Sequence, residues 1–178
     1  MPHIHTQQGH HDLTVSAYVF RTDFDQPKLL LHWHKKLNKW LQFGGHVELH
    51  ENPWQAIAHE LLEESGYDLD QLKIVQPADR LTSATNIIVH PQPVLINTHA
   101  FDATHNHIGI DYAFVTDEEP RHPVAADESQ EVCLLTRDEL MALPADKIYD
   151  ATREISLYIF DVIVPQWKPV ATGTYTSA

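Results

Sequence analysis

The chain has 178 residues, of which 43% are apolar and 21% are charged, and its net charge is −13 at pH 7. This length suits one domain, which we predict over residues 1–178 with a flexible N-terminal segment at 1–12. The acidic balance argues against polymeric nucleic acid as a partner, because that binding depends on basic patches. No apolar run approaches the roughly 18 residues of a membrane span, and no signal-peptide pattern opens the chain. We therefore expect a soluble, cytoplasmic protein without a membrane partner.

The first part of the chain predicts strands that lead into a glycine pair. Strands are predicted over residues 13–21 and 29–34 from their apolar runs and the turn signals that follow them. Residues 40–43 lead into the glycine loop at Gly44-Gly45. Glycine frees the backbone to turn sharply or to approach a ligand closely, so this loop is a candidate part of a site.

A helix with strong end signals follows the glycine pair. Asn52 is a predicted N-cap, Pro53 suits the first helical position, and Gln55 can complete a capping box. Gly66 is the residue expected just past the helix end. A buried stripe is predicted at helical spacing from Trp54, Ile57, Ala58, Leu61 and Leu62. Three glutamates, Glu60, Glu63 and Glu64, fall outside that stripe.

The second part of the chain predicts further strands and two helices. Strands are predicted at 72–75, 94–101, 108–116 and 132–135, with loops at 76–92 and 117–129. Thr136 and Glu139 form a capping box for a short helix that ends before Pro144. The last helix is predicted to start at Asp150 or Thr152, and its buried face is predicted to hold Ile155, Tyr158, Ile159 and Val162. No repeat and no second domain is indicated.

The cysteine and histidine usage gives two minor indications. Cys133 is the only cysteine, which excludes an internal disulfide, and its apolar neighbours favour a buried small residue over a nucleophile. Four N-terminal histidines, His3, His5, His10 and His11, suggest metal capture, a tag remnant or a solvated tail. Their irregular spacing favours the tail.

The glutamates of the predicted helix are the main functional indication. Glu60, Glu63 and Glu64 occupy positions i, i+3 and i+4 and therefore share one helix face, with Cβ atoms about 5–6 Å apart. Such carboxylates repel one another unless a cation lies between them, and Mg²⁺ prefers oxygen ligands of this kind. A plain solvated helix face is the alternative, but two more carboxylates, Glu48 and Glu51, and the glycine loop favour a site.

This stretch resembles the signature of the Nudix hydrolases, G-x5-E-x7-R-E-U-x-E-E-x-G-U, where U is a bulky apolar residue. The spacing is kept without insertion or deletion. The matching positions are Gly45, Glu51, Glu60, Leu61, Glu63, Glu64, Gly66 and Tyr67. The resemblance implies an α/β/α sandwich with a mixed β-sheet between helices, in line with the predicted elements.

The resemblance also implies the chemistry of the site. Glu60, Glu63 and Glu64 would hold Mg²⁺ or Mn²⁺, with the Gly44 carbonyl as a further ligand, and would form the catalytic group. Members of the family often add a glutamate from a later loop, for which Glu128 is our candidate and Glu131 the alternative. At either position a plain surface glutamate is an equal expectation.

One position departs from the signature: His59 stands where the family has Arg. Arginine is always charged, whereas histidine has an ordinary pKa near about 6.5. Near several carboxylates, His59 is expected to keep its proton toward neutrality. We therefore expect a pH dependence of activity that an arginine would not give.

Contacts to substrate are predicted from cations and aromatic residues. Lys35, Lys36 and Arg21 are candidates for phosphate binding, although solvated lysines at a strand end are common. Three aromatic residues, Tyr112, Phe114 and Trp33, are candidates for stacking on a base, although alternating aromatics in strands usually pack in the core.

The function that the resemblance implies is metal-dependent hydrolysis of a phosphoanhydride bond in a nucleoside diphosphate linked to another moiety. Two alternatives are a non-catalytic nucleotide-sensing Nudix module and an enzyme resembling the isopentenyl diphosphate isomerases. The isomerases rely on a catalytic cysteine, for which Cys133 is poorly placed. The expected partner is a small nucleotide-type substrate, and the resemblance makes a homodimer an option.

Overall fold

The computed structural model describes Ile4 and residues 7–175. The strands are β1 His11–Arg21, β2 Lys28–His34, β3 Lys39–Leu41, β4 Lys73–Gln76, β5 Leu95–Ala100, β6 Asn106–Thr116, β7 Val132–Leu135 and β8 Lys168–Ala171. The helices are α1 Pro53–Ser65, α2 Arg137–Ala142, α3 Asp150–Tyr158 and α4 Val164–Gln166. Strand order along the sheet is β3-β2-β1-β6-β4-β8, with β5 beside β6 and β7 beside β2.

The centre of the sheet is the pair β1 and β6. These strands run parallel, from His11 opposite Asn106 to Arg21 opposite Thr116, while the other strand pairs are antiparallel. The sheet is therefore mixed, as predicted.

Alternate residues of β1 pack on opposite faces of the sheet, as strand geometry requires. On one face, Val15, Ala17 and Val19 join the core around α1. On the other face, Tyr18 and Phe20 join the core around the C-terminal helices. The α/β/α sandwich with a mixed sheet is confirmed.

The ends of α1 form as the sequence predicts. Asn52 Oδ1 accepts hydrogen bonds from the backbone N–H groups of Trp54 (2.9 Å) and Gln55 (3.0 Å), and Gln55 Oε1 accepts one from Asn52 N–H (2.8 Å). Gly66 has a φ of 75° and donates its N–H to the Leu62 carbonyl. Because L residues with side chains are strained at this φ, glycine suits the end of the helix.

The buried side of α1 differs from the prediction. Trp54, Ile57 and Leu61 are buried, but Leu62 is 41% exposed, while Glu60 and Glu64 are only 5% and 6% exposed. The predicted acidic outer face is therefore wrong for these two glutamates. The apolar stripe alone did not reveal that the glycine loop covers this side of α1.

Of the buried face predicted for the last helix, Ile159 is buried, Ile155 and Val162 are only partly buried, and Tyr158 is wrong. Tyr158 is 47% exposed, and the buried residues of this region include Ser156, Ile159 and Ile163. The helix continues past Tyr158 as a π-helical turn over Ile159–Ile163, in which Val164 N–H donates to the Ile159 carbonyl. A π turn holds more residues than an α turn, so the 3.6-residue period no longer predicts which face is buried.

Strand β8 was not predicted, since it contains Pro169 and a proline is tolerated mainly in edge strands. It pairs antiparallel with β4. Within the described ranges, none of the helices combines the length and apolar character needed to cross a membrane. His3 and His5 lie outside the described residues.

Candidate active site

The glycine pair lies beside β1 and pairs with it through the backbone. Val15 N–H donates to the Gly45 carbonyl (2.9 Å) and Ala17 N–H donates to the Phe43 carbonyl (2.8 Å). Gly44 has a φ of 141°, and a Cβ at this position would collide with the Val15 carbonyl oxygen. The approach of this segment to β1 therefore requires glycine at position 44.

The same segment covers the carboxylates of Glu60 and Glu64. Gly44 N–H donates a hydrogen bond to Glu64 Oε2 at 2.8 Å. A Cβ at Gly45 would collide with Glu60 Oε1, so the missing side chain makes room for that carboxylate. The loop and α1 thus bring two buried carboxylates together under a glycine backbone.

Burial strongly changes the acidity of both groups. Desolvation, with the charges of Glu63, Glu128 and Glu51, raises the pKa of Glu60 to about 7 against a smaller opposing effect of His59. Desolvation and the charge of Glu60 raise the pKa of Glu64 to about 9, although the hydrogen bond from Gly44 acts in the opposite direction. Two ionised carboxylates that are shielded from water repel each other strongly, and a bound cation would offset the free-energy cost of burying them.

The residues present fit a divalent cation. Glu60 Oε1 is buried, and no hydrogen-bond partner for it exists among the described residues. Carboxylate oxygens are the ligands that Mg²⁺ prefers, and this ion usually keeps several waters, so the carboxylates need not converge on one point. The donor set therefore matches a hard divalent ion.

Glu63 lies on the exposed side of α1 and contacts His59. His59 Nε2 is 3.0 Å from Glu63 Oε1, and His59 Nδ1 is 3.7 Å from Glu51 Oε2. Burial lowers the pKa of His59, but the hydrogen bond with Glu63 and the charges of Glu63, Glu60 and Glu51 outweigh it and raise the pKa overall. The imidazole therefore lies between two glutamates of the motif, and their charges favour its protonated form.

The later glutamates differ in their relation to the site. The charge of Glu128 is among the main causes of the raised pKa of both Glu60 and Glu64, whereas Glu131 is not among them and is exposed. Lys35 Nζ donates to the backbone carbonyl of Glu128 at 2.9 Å and so supports that loop. These contacts favour Glu128 over Glu131.

The predicted phosphate-binding residues Lys36 and Arg21 differ in exposure. Lys36 is exposed, as a phosphate-binding residue would be. Arg21 is only 3% exposed, and its guanidinium is already paired with Asp23 and Glu119, so it is not available to a phosphate.

The aromatic candidates pack against protein side chains. Tyr112 packs edge-on against Trp54, Phe114 stacks on Trp54, and Trp33 packs edge-on against Trp40. Tyr112 and Phe114 are 2% and 0% exposed. Tyr112 and Phe114 therefore pack in the core, which was the alternative to base stacking. Stacking of a base on Tyr112 would require the core to open.

One site residue was missed from the sequence. His32 is buried on β2, with its Nε2 3.8 Å from Glu64 Oε1. Burial, with the charge of His34, lowers the pKa of His32 to about 4, so the imidazole is neutral at pH 7. A histidine within the apolar run of β2 was the available signal, because a polar residue in a buried strand needs a reason.

Comparison with family models identifies the fold family. The NUDIX domain model matches residues 10–155. The chain belongs to the NUDIX family. No curated protein sequence matches the chain.

Solved structures of other proteins share the fold. A NUDIX-family hydrolase from Clostridium perfringens is 24% identical, covers 85% of this chain and 97% of its own, and has a TM-score of 0.66. An Ap4A hydrolase from C. elegans is 14% identical, with 74% and 85% covered and a TM-score of 0.55. The NUDIX domain of Shewanella oneidensis NrtR, solved with ADP ribose, is 15% identical, with 83% and 84% covered and a TM-score of 0.56.

Proposed function

We propose that this Nudix hydrolase cleaves a phosphoanhydride bond in a nucleoside diphosphate linked to another moiety, with Mg²⁺ or Mn²⁺ as the cofactor. The observation that carries the proposal is the pair of buried carboxylates, Glu60 and Glu64, under the glycine segment of a motif with all its glutamates. A buried acidic pair of this kind suits a cation far better than an apolar interior.

The proposed metal residues are Glu60, Glu63 and Glu64 with the Gly44 carbonyl, and Glu128 is the proposed later ligand. When bound, the divalent ion supplies Lewis-acid chemistry that withdraws charge from the diphosphate and makes a water molecule more acidic. Either Glu60 or Glu63 accepts the proton of the attacking water. Attack at phosphorus then yields two phosphorylated products.

The other residues of the site hold these groups in place. Gly44 N–H fixes the Glu64 carboxylate through its hydrogen bond. His59 lies between Glu51 and Glu63 and supplies the positive charge that arginine supplies in the family motif. Lys35 holds the loop of Glu128, and Lys36 is the proposed contact to a phosphate.

The isomerase alternative is weakened by the state of Cys133. Burial raises the pKa of its thiol to about 12, so the thiolate is scarce near neutrality. A thiolate is the reactive form of cysteine, and Cys133 is therefore a poor nucleophile.

The sensing alternative rests on one structural relative. The NUDIX domain of NrtR, of the same fold, was solved with ADP ribose. We infer that a sensing domain would bind such a nucleotide without turning it over, whereas the proposed enzyme would do both.

A panel of nucleotides tests the proposal. The native protein is incubated with Mg²⁺ or Mn²⁺ and ADP-ribose, nucleoside triphosphates, dinucleoside polyphosphates or nucleotide sugars, and products are separated by ion-exchange chromatography. Binding is measured in parallel by calorimetry. Metal-dependent formation of two phosphorylated products supports the enzyme, and binding without turnover across the panel supports the sensing module.

We also propose that residues 1–178 form one domain. The family match ends at 155, but β8 at Lys168–Ala171 pairs with β4 in the same sheet. The C-terminal region thus contributes to the same fold unit.

A further inference from the structure

A cluster of histidines surrounds a buried aspartate away from the three glutamates. Asp12 Oδ2 lies 3.1 Å from His105 Nε2 and 3.6 Å from His46 Nε2. Asp12, His105 and His107 are all buried, and their ligand atoms lie within 4.8 Å of one another. Within the part of the chain that the structure describes, no other group of three His, Cys, Asp or Glu residues converges in this way.

The parallel pairing of β1 and β6 brings these residues together. Asp12 lies opposite His107 in that pairing, and His46 lies opposite Thr14 of β1. Residues paired in a sheet point to the same face, so Asp12, His46 and His107 share one face. His105 comes from the turn before β6, where its carbonyl accepts hydrogen bonds from Phe101 and Asp102.

This face of the sheet is the one opposite α1. Tyr18 and Phe20, which alternate in phase with Asp12 along β1, pack in the core around the C-terminal helices. The cluster and the glutamates of α1 therefore lie on opposite sides of the sheet.

The donor atoms of the cluster suit a transition metal. Imidazole nitrogens and a carboxylate are ligands of zinc, whereas Mg²⁺ prefers oxygen. Ligands at about 2.0–2.2 Å from a tetrahedral zinc are separated by roughly 3.4 Å from each other. The distances of 3.1 and 3.6 Å from Asp12 to the two histidines bracket that separation.

We propose that Asp12, His105 and His107 bind one Zn²⁺ ion at a structural site distinct from the glutamate site. His46 lies outside the group of ligand atoms within 4.8 Å of one another, but its Nε2 is 3.6 Å from Asp12 Oδ2, so a shift of its side chain on metal binding would make it the fourth ligand. His46 directly follows Gly45, so the ion would tie the glycine segment to the start of β1 and β6. Ile4 N–H also donates to Asp12 Oδ2 at 3.0 Å. The ion would hold the glycine segment against these strands and would take no part in the hydrolysis.

The competing explanation is a set of hydrogen bonds and ion pairs between the histidines and Asp12 without a metal. This explanation predicts no uptake of Zn²⁺ by the cluster. Metal uptake therefore separates the two explanations directly.

The experiment uses the full chain after removal of metals with a chelator. Co²⁺ and Zn²⁺ are titrated in excess Mg²⁺, which occupies the oxygen ligands of the glutamate site. We expect one Zn²⁺ per chain by atomic emission spectrometry and the intense visible absorption of tetrahedral Co²⁺. A native chain that takes up neither ion, or that gives only the weak spectrum of octahedral Co²⁺, overturns the proposal without any variant.

Variants locate the ion. Substitution of a residue that hydrogen-bonds to a metal ligand typically weakens metal binding by about 10–100-fold. Because Asp12 and His107 are proposed as ligands themselves, D12N and H107A should each weaken Zn²⁺ binding by more than about tenfold. H50A is the matched control, because His50 is exposed in the same loop as His46. Native affinity in D12N and H107A, with circular dichroism showing an intact fold, overturns the proposal.

Two further variants separate the cluster from other metal-binding groups. E64Q should keep the Zn²⁺, so failure of the hydrolase proposal and failure of this one are distinguishable. The double variant H3A/H5A tests the N-terminal histidines, and we expect it to keep the ion. Loss of Zn²⁺ from H3A/H5A together with its retention in D12N and H107A overturns the assignment.

Discussion

His59 Nε2 lies 3.0 Å from Glu63 Oε1, one helical turn further along α1, while His59 Nδ1 faces Glu51 at 3.7 Å. The imidazole thus connects Glu51, in the loop before the helix, with Glu63, the second motif glutamate on the helix. Because the carboxylates raise the pKa of His59, its positive charge persists to higher pH than that of an ordinary histidine.

We predict that His59→Arg removes a loss of activity on the alkaline side. A raised pKa means that the charge of His59 is present at low pH and is lost as the pH rises through the raised value. Turnover by the native protein should therefore decline with that loss, while the arginine variant keeps its charge. Profiles of kcat/KM against pH provide the measurement, with His50→Arg as the control, and superimposable native and His59→Arg curves would contradict the prediction.

We predict that Gly45→Ala damages the site through Glu60. The added Cβ meets Glu60 Oε1, so the carboxylate must move, and overpacking of this kind costs about 1–3 kcal/mol of stability. Mg²⁺ affinity, measured by calorimetry, should fall together with turnover. Gly173→Ala is the matched control, because a Cβ at Gly173 meets no atom within 4 Å. Equal Mg²⁺ affinity in the two variants would refute the role of Gly45.

The parts of the fold predicted from sequence are those set by neighbouring residues. The caps of α1, formed by Asn52, Gln55 and Gly66, depend on hydrogen bonds within a few positions, and each formed as predicted. Strand β8 and the π turn at Ile159–Ile163 were missed because partners elsewhere in the chain determine them.

For the site, too, features set by neighbouring residues could be predicted and features set by distant residues could not. The motif from Gly45 to Gly66 is contiguous, so its spacing could be read directly. The burial of Glu60 and Glu64 could not be predicted from it, because the covering segment is positioned by β1. Asp12 and His107 are 95 positions apart in the chain, and only the pairing of β1 with β6 brings them together.

We predict that the protein without metal becomes less stable as the pH rises. The pKa values of Glu60 and Glu64 are raised to about 7 and about 9, so each folded carboxyl keeps its proton to a higher pH than the same group in the unfolded chain. Between the ordinary pKa of glutamate and its raised value, each group lowers the free energy of unfolding by up to about 1.4 kcal/mol per pH unit. Urea unfolding in chelator at pH 6 and pH 9 measures the effect.

The variant Glu64→Gln isolates one of these groups. It should lose less stability than the native protein between the two pH values, since the amide cannot ionise. Mg²⁺ should reduce the pH dependence of the native protein, because a cation stabilises the ionised carboxylates. An identical pH dependence in the native protein and Glu64→Gln would show that Glu64 does not titrate in this range.

We predict that Glu128→Gln weakens metal binding and Glu131→Gln does not. The charge of Glu128 is among the main influences on both Glu60 and Glu64, whereas Glu131 is not among them and is exposed. Calorimetric titration with Mn²⁺ compares the two variants, which differ by three positions in the same loop. A larger loss of affinity in Glu131→Gln would reverse the assignment.

The glutamates of α1 are proposed to hold the cation that hydrolysis requires. The decisive measurement is the rate of Mg²⁺-dependent turnover of the best substrate of the nucleotide panel by the native protein, Glu63→Gln, Glu64→Gln and the surface control Glu154→Gln. We predict that turnover is abolished in Glu63→Gln and Glu64→Gln while circular dichroism shows an intact fold, and that Glu154→Gln keeps the native rate. Near-native turnover by either Glu63→Gln or Glu64→Gln would contradict the metal assignment.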